Sequence, residues 1–273
     1  MRVACIQPQV FQERFQCYLE IERILKTLLN NHKNCDIACL PEKWTPYNTD
    51  INKNFQEERG DDYAFIKNLA YKYKIRIVSG AIWEKRDKTK KPVITCYYFN
   101  KNGEEIGRQD KIHLYSHERK NFQSGKELKL FKMNDVGSFA ILICFDMAFF
   151  ETPRLAIENG ADLLFSPTQI REDGMDNWYV YLKARALENR VPIVACNSFG
   201  EYLERKFLGC SKILSFYKGN ISPSKLKIVE GPKNSSGYVF SDIDLRYPRK
   251  LREIRLGEKI DKNKIKVKFI NNK

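Results

Sequence analysis

The stretch Ser138–Arg154, SFAILICFDMAFFETPR, decides how the rest of the chain is read. Its first half, FAILIC, is an unbroken apolar run, the composition of a strand buried on both faces rather than one that alternates with solvent. The run ends in a thiol, Cys144. An acid follows at Asp146, then an aromatic pair and the turn Thr152-Pro153-Arg154. Thr152 is expected to cap a short helix with Pro153 at its first position, ending at Gly160. A thiol where a buried strand gives way to a helix is held rigidly and exposed at the sheet edge, a place suited to a nucleophile. Taken alone, the segment favours a plainer reading, in which Cys144 is a packed cysteine like Cys5 and Cys196.

Outward from this strand, the pattern alternates between strands and helices. RVACIQ near the N-terminus reads as a strand. Phe15, Tyr18, Ile21, Leu25, Leu28 and Leu29 recur at helical spacing with one buried face. CDIACL is a buried strand that stops at Pro41-Glu42, and a second helix is expected over 61–73. IRIVSGAIW and VITCYYF read as strands, the latter turning at NKNG (100–103) into EEIGRQDK. Beyond Cys144, ADLLFSP and PIVACN read as strands flanking a helix over 176–189. The remainder reads as strands between Gly, Ser and Pro turns, up to a basic tail from about residue 252. There are too many strands and hairpins for a simple doubly wound sheet. Two sheets packed face to face, with helices outside, fit better.

Composition narrows the function. The chain has 273 residues, 42% of them hydrophobic, enough for a large core in one domain spanning 1–273. No apolar run is long enough to cross a bilayer, and MRVACIQPQV lacks the long apolar region of a secretory signal, so a cytoplasmic protein with no membrane partner is expected. The 8 cysteines contain no C-x-x-C pair, which argues against a zinc ribbon or thioredoxin-like motif. His113 and His117 in HLYSH are four apart, but without a nearby set of acids or cysteines they read as polar rings on a loop, and no metal is expected. The net charge of +14 is spread along the chain and interleaved with acids, densest in KIDKNKIKVKFINNK. That is a Lys-rich solvated surface rather than a nucleic-acid footprint.

Two further segments change the weight given to Cys144. DIACLPEKW ends a buried strand in Glu42, at the strand edge where α/β sites collect. GRQDKIHLYSHE places Lys111 just after a strand, with Glu118 seven residues on. With Cys144 in ICFDMAFFETPR, these resemble the nitrilase superfamily of carbon–nitrogen hydrolases, which carry a Glu–Lys–Cys triad in this order at strand ends. Glu118 in HERKNFQSG matches that family's second glutamate. WYVYLKARALENRVPIVACNSFG resembles its Trp, Arg-Ala-x-Glu-Asn and Asn-x-x-Gly segment, and GCSKIL its Gly-x-Ser strand. The resemblance runs from about Arg2 to Leu251.

The resemblance implies a four-layer α-β-β-α sandwich and hydrolysis of a non-peptide C–N bond without a cofactor. In it Cys144 is the nucleophile, Glu42 the base, and Lys111 with the Phe145 N–H the oxyanion partners. Glu118, Asp146 and Glu151 take positioning roles, and Arg154 matches the same Cys-aromatic-Asp…Glu-x-x-Arg frame. Nitrilases proper usually show Cys-Trp-Glu, whereas Cys144-Phe145-Asp146 looks like the amidase and carbamoylase branches, so a small amide or N-carbamoyl substrate is expected. Tyr47, Tyr115, Phe145, Phe149 and Trp178 are the expected substrate-side aromatics. Family members form homodimers or larger homo-oligomers, which is the expectation here as well. A catalytically silent or nucleic-acid-binding scaffold on the same fold is the alternative, as is an acyltransferase using the same triad.

Overall fold

Strands without a polar face need apolar partners on both sides, and that requirement builds this architecture. The computed structural model of the chain describes residues 1–133, 136–202 and 204–270. The first half contains β1 (Arg2–Gln7), α1 (Arg14–Asn31), β2 (Ile37–Cys39), β3 (Gln56–Glu57), α2 (Asp61–Tyr73), β4 (Arg76–Lys85), β5 (Val93–Phe99), β6 (Glu105–Asp110) and α3 (Glu118–Asn121). Next come β7 (Leu130–Met133), β8 (Gly137–Ile141), α4 (Glu151–Glu158), β9 (Leu163–Pro167), α5 (Met175–Asn189) and β10 (Ile193–Cys196). The last are β11 (Phe199–Tyr202), β12 (Arg205–Leu208), β13 (Lys212–Phe216), β14 (Leu226–Glu230), β15 (Gly237–Asp242) and α6 (Arg246–Gly257).

One sheet has the order β15-β1-β2-β4-β5-β6, with β3 also on β4; the other runs β14-β13-β10-β9-β8-β7. Each is built around three parallel strands, β1-β2-β4 and β10-β9-β8, flanked by antiparallel ones. Period-2 alternation sends the odd and even residues to different cores. Val3, Cys5, Ile37 and Cys39 meet Phe139, Ile141, Phe165 and Val194 between the sheets. Ala4, Ile6, Ala38 and Leu40 face α1 and α2 on one outside, and Ala140, Leu142, Leu164 and Ile193 face α4 and α5 on the other. The result is the α-β-β-α sandwich expected.

Some local details differ from the sequence reading. Phe15, assigned to the buried face of α1, is 69% exposed; Cys17 and Ile24 take its place in the core. Helix α4 begins at Glu151, two residues before the expected Pro153, and Thr152 does not cap it. β8 stops at Ile141, and Cys144 opens a 3-10 turn, Cys144–Ala148. Helix α6 was not anticipated: Leu251 and Arg252 are buried within it, so the exposed basic segment starts only after Gly257. No helix among the described residues is long and apolar enough to cross a membrane.

Candidate active site

Glu42 and Cys144 lie just beyond the carboxyl ends of parallel strands in opposite sheets. Beyond β2, the Leu40 N–H donates to the Val78 carbonyl at 3.0 Å, and the Glu42 N–H crosses to the Thr168 carbonyl of the other sheet at 3.0 Å. This loop lies over Gly80, which has φ +69°; a Cβ there would overlap the Pro41 carbonyl oxygen and lie 2.8 Å from the Trp44 ring. Gly80 falls within the register shift between β4 and β5, where the extra residue makes room for the Glu42 loop.

Lys111 follows β6, its N–H bonded to the Ile94 carbonyl at 2.8 Å. Its side chain is 1% exposed. The ammonium donates to Glu42 Oε1 at 2.7 Å and lies 2.9 and 2.8 Å from the two oxygens of Glu118. Glu118 is held in turn by the Tyr115 N–H at 2.7 Å. Burial alone would lower the Lys111 pKa, but Glu42, Cys144 and Glu118 outweigh it and raise it. Glu118 is shifted upward by burial and by the neighbouring Glu42, against the pull of Lys111. The Cys144 thiol is pushed well above its ordinary value by burial and by Glu42, with Lys111 opposing. The resting group is therefore a thiol, and it needs a base to become a nucleophile.

Cys144 has φ +48°, a left-handed conformation that costs a non-glycine residue about 1–3 kcal/mol. Two side chains, Asp146 and Arg185, fix the turn. Asp146, fully buried, accepts the Ile143 N–H at 2.9 Å and the His113 N–H at 2.7 Å, joining the Cys144 turn to the segment after Lys111. The His113 ring also meets Asp146, at 3.0 Å from Nδ1. Arg185 of the Arg-Ala-x-Glu-Asn segment donates to the Met147 and Ala148 carbonyls at 3.1 and 2.9 Å. Asn197 bonds both the N–H and the carbonyl of Ile170 and so holds the next wall of the site.

Glu42, Lys111, Glu118 and Cys144 open into one cavity of about 380 Å³, which Tyr47, Tyr115, Phe145 and Trp178 also line. Phe149, expected among the substrate-side aromatics, does not line it. Its ring turns away and stacks on His113 with centroids 4.3 Å apart. Arg171 lines the cavity too, and residues not foreseen complete the walls: Lys43, Trp83, Tyr181, Arg205 and Phe207. Lys43 and Trp83 lie in segments already singled out, and only the direction of their side chains was hidden. Arg205 and Phe207 belong to the β11–β12 hairpin, which carries no local signal of its destination.

The carbon-nitrogen hydrolase family model matches residues 2–253. The chain belongs to the carbon-nitrogen hydrolase family. It is an enzyme of the nitrilase superfamily that acts on C–N bonds other than peptide bonds. This hydrolase is 34% identical over 195 residues to a probable nitrilase of Schizosaccharomyces pombe, covering 71% of this chain and 68% of that one. It is 30% identical over 225 residues to a 2-oxoglutaramate amidase of Bacillus subtilis, covering 81% and 83%. Its fold superposes on Nit3 of Saccharomyces cerevisiae, a member of branch 10 of the nitrilase superfamily, with a TM-score of 0.80 and 22% identity over 97% of each chain.

Proposed function

We propose that this hydrolase cleaves primary amides of small carboxylic acids to the acid and ammonia through a thioester on Cys144. The supporting observation is the buried Lys111 ammonium held between Glu42 and Glu118 in the cavity that contains Cys144. In this reading Glu42 takes the thiol proton as sulfur attacks the amide carbon. The oxyanion is met by Lys111 and the Phe145 N–H; one such donor is worth about 3–4 kcal/mol in other enzymes. Glu42 returns the proton to the leaving nitrogen, and ammonia departs. Water, deprotonated by the same carboxylate, then adds to the thioester, and the acid leaves with the thiol restored. Glu118 touches Lys111 and keeps its ammonium aimed. The aromatic walls suit a short acyl chain, and the relative named a 2-oxoglutaramate amidase supports an amide over a nitrile. N-carbamoyl compounds present a similar carbonyl to Cys144 and are the second substrate class to test.

Ammonia release from a panel of primary amides, N-carbamoyl compounds and nitriles tests the reading. Amide turnover by the wild type and none by Cys144→Ala is the expected result. Turnover of nitriles alone, or equal turnover by Cys144→Ala, overturns it.

A further inference from the structure

We infer that Lys43 selects the substrate: its ammonium receives a carboxylate carried on the acyl chain, at the end remote from the scissile amide. This rests on the proposed amidase reading and names the substrate class of the same site. Lys43 is only 4% exposed, and it lines the cavity together with Tyr47 and Trp83. Its Nζ lies over both rings, 4.8 Å from the Trp83 centroid and 5.6 Å from that of Tyr47, and donates to Thr45 Oγ1 at 3.1 Å. Among the described residues no carboxylate lies within 4 Å of it, whereas Lys111 has two. A buried ammonium normally has an acid against it, because ring faces and one hydroxyl replace little of its hydration.

The groups around Lys43 do not supply that acid. Glu42, its chain neighbour, is bonded to Lys111. Asp62 on α2 also attracts the Lys43 charge, but it is engaged by Arg14, Tyr18 and Gln56. Arg14 repels it, and Cys17 on α1 is a buried thiol raised by its own desolvation. Desolvation consequently pushes the Lys43 amine down to about 8. The other cations of the cavity wall differ: Arg171 pairs with Asp173 at 3.0 Å, and Arg205 is exposed. Without Lys43 the acids that line the cavity, Glu42, Glu118 and Asp173, are balanced by Lys111, Arg171 and Arg205, so Lys43 brings the cation in excess and has N–H donors to spare for a carboxylate.

Succinamate and butyramide have nearly the same shape and differ in the terminal carboxylate, so their comparison isolates this contact. The wild type is expected to prefer succinamate. In Lys43→Met the ratio of kcat/KM for succinamate to that for butyramide should fall about 10- to 100-fold, mostly through KM. The preference should weaken as pH rises through about 8, where the free amine loses its proton. Carboxylate binding favours the ammonium, so succinamate binding to Cys144→Ala at pH 8–9 should take up protons, read by calorimetry in buffers of different ionisation heat. A wild-type preference for butyramide, or equal loss of both substrates in Lys43→Met, overturns the assignment. If Lys43→Met does not fold, the calorimetric result decides: no proton uptake overturns it. If the wild type releases ammonia from no primary amide of the panel, the amidase reading fails, while the Lys43 subsite is still judged by succinamate binding to Cys144→Ala with and without Lys43→Met.

Discussion

At the scale of single residues, the site is a charge arrangement that works only when complete. Cys144→Ala removes one sulfur from a partly exposed position, so the fold should persist while turnover is lost. Circular dichroism together with ammonia release checks both, and full activity would remove Cys144 from the mechanism. Lys111→Met is a harsher change. It leaves Glu118 buried beside Glu42 without the ammonium that lowers its pKa, and removing one partner of a buried pair costs about 3–5 kcal/mol. The sign with pH follows. A carboxyl whose folded pKa is raised above its unfolded value of about 4.3 disfavours folding increasingly as pH climbs from that value to the raised one. The Tm deficit of Lys111→Met relative to wild type should therefore be smaller at pH 5 than at pH 8; an equal deficit at both would mean that Glu118 does not carry the uncompensated charge. Glu42 and Cys144 stand out in the sequence because each follows an apolar run that ends abruptly, whereas Lys111 follows the polar strand β6 and stands out only together with them, through the family resemblance. Lys43 and Phe149 were not legible, because a backbone turn decides which of two neighbouring side chains enters the cavity.

At the scale of elements, strands and long helices could be read closely, since residues buried on both faces or at helical spacing leave a strong signature. α2 and the β5–β6 hairpin fall where the pattern places them. The short connections could not be read so well. The bulge at Gly80, the left-handed Cys144 and the Asp146 bridge to His113 are set by contacts between segments distant in sequence. Gly80→Ala tests how far the site depends on such a connection. A Cβ there meets the Pro41 carbonyl and the Trp44 ring, and the left-handed φ adds about 1–2 kcal/mol of strain. The Glu42 loop must shift, and a displacement near 1 Å can cost about a hundredfold in rate. Gly80→Ala is expected to lower kcat at least tenfold and to lower Tm. A normal kcat with reduced Tm would show that the loop re-seats Glu42 despite the added methyl.

At the scale of the whole molecule, the site draws Glu42 from one sheet and Cys144 from the other, so whatever fixes strand β8 also fixes the position of Cys144. Helix α6 does part of this from the far end of the chain. Its apolar residues are sparse and its sequence reads as a basic tail, because its inner face works through arginines as much as through Leu251. Arg249 donates to both oxygens of Asp162, at 3.0 and 2.8 Å, and Arg252 donates to the Ala161 carbonyl at 2.7 Å. Asp162, 4% exposed, also accepts the Ser138 N–H at 3.1 Å, at the start of the strand that leads to Cys144. Two truncations separate the helix from the segment after it. Ending the chain after Gly257 removes residues that are exposed from 258 to 270 and two surface pairs, Glu258 with Arg255 at 3.5 Å and Lys259 with Glu158 at 2.6 Å, each worth about 0–1 kcal/mol. Tm should move by no more than about 2–4 °C, with turnover retained. Ending it after Leu245 exposes the Leu251 pocket, about 1.5–3 kcal/mol, and strips Asp162 of both arginines, about 3–5 kcal/mol more. At about 2–4 °C per kcal/mol for a chain of this size, Tm should fall by about 10 °C or more, and kcat should fall in the fraction that stays folded, because β8 loses the anchor at its first residues. If the shorter chain melts and turns over like the longer one, α6 plays no part in holding the strand that leads to Cys144.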